Sequence, residues 1–127
     1  HSWGHANMGT STMARVKTDT EKWKLYVESI VGETDVFIYA YGADISSSAP
    51  YNMSNERFAY LKSQGFNIFC NVDGTTLGWL QAGENFMRQS RLNLDGHRMR
   101  TSPELLSALF DVEKVYNNAR PMGLEDE

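Results

Sequence analysis

A single cysteine, Cys70, stands among 127 residues, so no internal disulfide framework holds this chain together. It lies inside the apolar run 66–72, where a small buried hydrophobe is expected rather than a nucleophile, and alone it does not decide a redox compartment. No apolar run approaches the ~20 residues that a membrane-crossing helix requires. An excess of basic residues is also missing. The formal net charge of -4 leaves no basic face of the kind that nucleic-acid binding demands. No repeat and no internal domain boundary interrupts the chain, and its length suits one domain or most of one. Hydrophobic residues at 41% and aromatics at 12% supply a core and exclude disorder for the body of the chain. There is no initiator methionine, which leads to the expectation that these residues were cut from a larger protein.

What the chain does have is a pair of histidines at its start. His1-Ser2-Trp3-Gly4-His5 sets two imidazoles four residues apart, within reach of one metal ion from a single helical turn or from a loop at a strand end. Downstream, residues 6–17 are small and polar and read as a loop. Thr18 or Asp19 is then a helix cap, and Trp23, Tyr26, Val27, Ile30 and Val31 recur at helical spacing as core, with Gly32 at the stop. Residues 36–41 are nearly continuously apolar and predict a strand buried on both faces. A polar loop over 44–53 follows, then a helix over 55–64 capped by Ser54, and a strand over 66–72. Residues 77–90 read as a hairpin turning at 82–85. Arg88, Arg91, Arg98 and Arg100 form the only basic concentration. Ser102-Pro103 opens a helix to about Phe110, residues 111–116 read as a short strand or turn, and 117–127 as a frayed tail. This order predicts an α/β chain of parallel βαβ units with a hairpin insertion.

The opening pentad resembles the H-[ST]-x-x-H metal motif of the polysaccharide deacetylases, the NodB-homology or family 4 carbohydrate esterases. Phe37-Ile38-Tyr39-Ala40-Tyr41-Gly42 is similar to that family's [F]-R-x-P-[YF]-G segment. The resemblance implies a distorted (β/α) barrel, of which residues 1–116 would be the C-terminal part of the catalytic domain, with the early strands upstream. It implies a divalent metal, usually Zn²⁺, held by His1 and His5 with an aspartate, and an acetylated glycan as substrate. It implies that the Tyr41 backbone amide faces the developing oxyanion. Asp73 falls where the family carries its aspartate-containing fourth motif, with Trp79 further along than usual as a substrate contact. The family is mostly secreted or surface-attached, so an extracellular or cell-surface location is the expectation.

The departures are as informative as the matches. No Thr-Phe-Asp-Asp segment is present, so the metal aspartate and the general base are both missing. Ile38 stands where the family has arginine, and Tyr39-Ala40 lacks its proline. The only late histidine, His97, sits in no Leu-x-His context. A barrel lacking its first strands would leave an open edge, which a homodimer or a swapped assembly would cover. The expectation is therefore a deacetylase-like chain that is inactive alone. Two alternatives stand beside it: a non-catalytic glycan-binding relic, in which Tyr39, Tyr41, Tyr51, Trp79 and Phe86 offer stacking surfaces, and an α/β interaction domain with no site.

Overall fold

Thr12 opens the first helix. Its side chain accepts the Arg15 backbone N–H at 3.3 Å, and α1 runs Met13–Trp23. These features come from a computed structural model that describes residues 1–45, 51–72 and 78–116. The helix thus begins well before Thr18 or Asp19. Its buried face in the first turns is Val16, Asp19 and Thr20, so an apolar periodicity has almost nothing to register there.

A π-helical turn, Lys24–Glu28, follows, and α2, Ser29–Val31, ends at Gly32. One extra residue in a helical turn rotates everything beyond it by about 100°. That rotation overturns the expected core stripe. Trp23 still packs edge-on against Phe66, with ring centroids 6.1 Å apart, but Tyr26, Ile30 and Val31 face solvent.

The first strand, β1, is Val36–Ile38, shorter than the apolar run suggests. The Tyr39 N–H still donates to the Cys70 carbonyl at 3.0 Å, but Ala40–Gly42 then coil into a 3₁₀ turn with Tyr41 at φ 58°. Gly42 carries φ 66° and a Cβ there would stand 3.1 Å from Val72 Cβ, so the turn lies directly on the end of the neighbouring strand. Asn55, not Ser54, caps α3, Glu56–Ser63, by accepting the Arg57 and Phe58 N–H groups. Strand β2 is Ile68–Val72, and the hairpin is β3, Leu80–Ala82, with β4, Met87–Arg91. A helix the sequence did not suggest, α4, covers Gly96–Thr101 under an Asp95 cap. The helix expected from Ser102 shrinks to a 3₁₀ turn, Pro103–Leu105, and residues 111–116 form α5, Val112–Val115, rather than a strand.

The four strands lie in the order β1-β2-β4-β3. β1, β2 and β4 are parallel, and β3 runs antiparallel to β4. The hairpin is therefore no insertion: β4 extends the parallel sheet and β3 hangs from it. Register places Phe37, Phe69 and Arg88 on one face, Ile38, Cys70 and Gln89 on the other. Val16 of α1 and Phe58 and Leu61 of α3 join Phe37 and Phe69 in a single core on the first face. Of the second face, Cys70 is buried, but Val36, Ile38, Ile68, Val72 and Met87 are only partly covered. The molecule is mixed α/β with a mostly parallel, open sheet, and α1 and α3 pack on its Phe37–Phe69 face. Among the described residues no helix is long and apolar enough to cross a membrane.

Candidate metal and ligand site

The histidine pair sits on a turn, not on a helix. The His5 N–H donates to the Ser2 carbonyl at 3.3 Å, and the buried Ser2 Oγ accepts the Ala6 N–H at 2.9 Å. Between them the Gly4 N–H donates to Asp19 Oδ1 of α1 at 2.7 Å. These bonds hold His5 at φ 50°, a left-handed conformation that costs a non-glycine residue about 1–2 kcal/mol. Strain of that kind persists only where the surroundings fix it.

The outcome is a three-ring cluster. His1 and His5 have ring centroids 4.9 Å apart, and Tyr41 meets His5 edge-on at 4.6 Å. Tyr41 follows β1, so the cluster lies at the C-terminal end of the parallel strands, where open α/β sheets bind ligands. His1 also lines a cavity of about 420 Å³ with Trp23, Val31, Glu33, Thr34, Val36 and Ile38. Burial, and then the nearby charge of Arg91, hold the His1 α-amine below the usual range of such amines. Both imidazoles are exposed to solvent and therefore open to a ligand.

Two neighbouring imidazoles are half of a tetrahedral zinc site, and a catalytic one adds a third protein ligand and water. Among the described residues no third His, Cys, Asp or Glu joins them. The donor set fits a divalent metal in part.

A second cluster went unread in the sequence. Asp44 is paired with Arg88 of β4, and the same Oδ2 accepts the Asn71 Nδ2 hydrogen at 2.7 Å. Arg88 lies over the Tyr51 ring at 4.2 Å and the Trp79 ring at 5.3 Å. The Tyr51 and Tyr39 hydroxyls are 2.6 Å apart. Burial raises both phenols above their ordinary pKa; contact with the other hydroxyl pushes Tyr39 further the same way. These residues are far apart in the chain and carry no motif. The sequence offered Arg88 within the basic concentration and Tyr39, Tyr51 and Trp79 as separate aromatics, and nothing joined them to Asp44.

Of the site residues the sequence singled out, His1, His5 and Tyr41 come together. Trp79 is placed at the head of the hairpin beside Arg88, and its N–H donates to Ser90 Oγ at 2.9 Å. Asp73 lies outside the described residues. Tyr39 is wholly buried and so is no sugar platform, whereas the Tyr41 ring is 72% exposed. Cys70 is buried as expected, its Sγ accepting from Gln89 Nε2 at 3.5 Å. Comparison with protein-family models, with curated proteins and with solved structures finds no match to this chain.

Proposed function

We propose that this chain carries the histidine half of the metal site of a polysaccharide-deacetylase-like protein, on an arc of a distorted (β/α) barrel. The single observation that carries the reading is the meeting of His1, His5 and Tyr41 at the C-terminal end of β1, with 4.9 Å and 4.6 Å between neighbouring rings. The parallel strands β1, β2 and β4, with the cluster at the C-terminal end of β1, support the barrel arc, since barrel sites are built at that end.

When bound, a divalent cation such as Zn²⁺ supplies a polarised carbonyl and a more acidic water. The protein's own part is to hold two neutral nitrogens close together. The Tyr41 main chain, turned into the left-handed region beside His5, is the candidate oxyanion donor. An acetylated glycan is the substrate class this chemistry takes, and the exposed Tyr41 ring offers it a stacking surface.

A second reading, glycan binding without turnover, is favoured by Ile38, which puts an aliphatic side chain where a deacetylase would carry arginine. Zinc titration of the chain, followed by calorimetry, tests the metal site. Micromolar or tighter binding that is lost in His5→Ala is the expected result. An affinity indifferent to His5 leaves only a site-free α/β domain. The same titration on a chain with one extra residue before His1 removes the contribution of the α-amine.

A further inference from the structure

We propose that Asp19 is a positioning residue for the His1–His5 pair, acting through the Gly4 backbone; this rests on the reading that the pair takes a divalent cation. Asp19 belongs to α1 and is 2% exposed. A carboxylate taken out of water is costly unless something compensates it. Its Oδ1 accepts the Gly4 N–H at 2.7 Å across 15 residues of chain, while Oδ2 has no hydrogen-bond partner at all. A Cβ on Gly4 would stand 2.8 Å from that same Oδ1 and 2.8 Å from Arg15 Nη2, so turn and helix meet without spare room.

An aliphatic residue at position 19 would give α1 a better core face, so packing does not explain the carboxylate. The turn does. Gly4 directly precedes the strained His5, and its N–H is the only one in the pentad that α1 reaches. Ser2 fixes the far side of His5 through Ala6. Remove Asp19 and the one restraint of the three that ties the turn to α1 is gone, leaving His5 free to relax to an ordinary φ and swing its ring from His1. Such outer partners of metal-binding histidines act on affinity without touching the ion.

The test is zinc affinity with thermal melting on the full chain, for wild type, Asp19→Ala, Asp19→Asn, Gly4→Ala and Thr20→Ala. Asp19→Ala is expected to lose about 10–100-fold in zinc affinity. Asp19→Asn keeps an oxygen acceptor in place and recovers most of that loss. Gly4→Ala disturbs the turn with the carboxylate intact and loses affinity like Asp19→Ala. Thr20→Ala, beside it and equally buried, leaves affinity unchanged. Wild-type affinity in Asp19→Ala overturns the proposal, as does an equal loss in a Thr20→Ala protein of matched melting temperature. If Asp19→Ala does not fold, unaltered affinity in Gly4→Ala overturns it instead. Zinc binding by the wild type that ignores His5 overturns the metal site itself, a result distinct from all of these.

Discussion

Tyr39 brings a hydroxyl into a core with no exposure, and its partner there is the Tyr51 hydroxyl at 2.6 Å. Burial holds the phenol protonated well above the ordinary value near 10. Above pH 10 the unfolded chain releases that proton and the folded chain does not. The unfolded state then binds fewer protons, so stability present below pH 10 falls as pH rises, by up to about 1.4 kcal/mol per unit for this group. Denaturant midpoints measured from pH 8 to 11.5 are expected to drop in the upper part of that range, with phenolate absorbance lagging for the buried pair. A Tyr51→Phe variant strands the Tyr39 hydroxyl and is expected to lose about 1–3 kcal/mol in urea unfolding. An unchanged midpoint would show that the two hydroxyls do not depend on each other. Residue identity alone left Tyr39 open to core packing or sugar stacking, and its full burial puts it in the core. The His1–His5 pair was legible because its spacing is local, whereas Asp44 and Arg88 meet across the sheet and no spacing announces them.

Helix starts are set by caps, and α1 shows how a cap outranks periodicity. Thr12 accepts the Arg15 N–H, and Thr18, one of the two caps expected from the polar residues ahead of the apolar stripe, lies exposed within the helix. Thr12→Ala is expected to lower stability by about 1 kcal/mol, and Thr18→Ala by no more than about 0.5 kcal/mol. Equal effects in thermal melts would put the helix start back where periodicity has it. Strands β1 and β2 were legible because nearly continuous apolar runs encode them directly, whereas the hairpin Leu80–Ala82 and Met87–Arg91 was marked by its turn residues rather than by an apolar run. The helix beyond Trp23 was not. Its residues have correct helical spacing, but the π turn Lys24–Glu28 rotates Ile30 and Val31 out to solvent, and no sequence signal marks that extra residue. The caps at Asn55 and Asp95 follow the same lesson: the acceptor that reaches a free N–H decides, and neighbouring candidates such as Ser54 are exposed bystanders.

At the scale of the molecule, the parallel α/β character was readable from element order, and the shared face on which α1 and α3 pack was not. Both α1 and α3 pack on the face of Phe37 and Phe69, which gathers the core there, while Ile38, Cys70, Gln89 and Arg91 lie on the other face. That arrangement supplies an imidazole pair beside a left-handed Tyr41 and, among the described residues, no carboxylate within the cluster. Among the described residues the pair lacks a third metal ligand, and loss of a general base alone would remove roughly 10²–10⁴ of rate. Among the described residues, Glu33 lines the cavity beside His1 but joins no three-residue donor group with the pair. We therefore expect the zinc-loaded chain to release no acetate from N-acetylated chito-oligosaccharides above a His1→Ala control, even where calorimetry shows zinc bound. Acetate release above that control, abolished by His5→Ala, would mean that a base has been overlooked in these residues; Asp73, one residue beyond β2, would be the first to replace by asparagine.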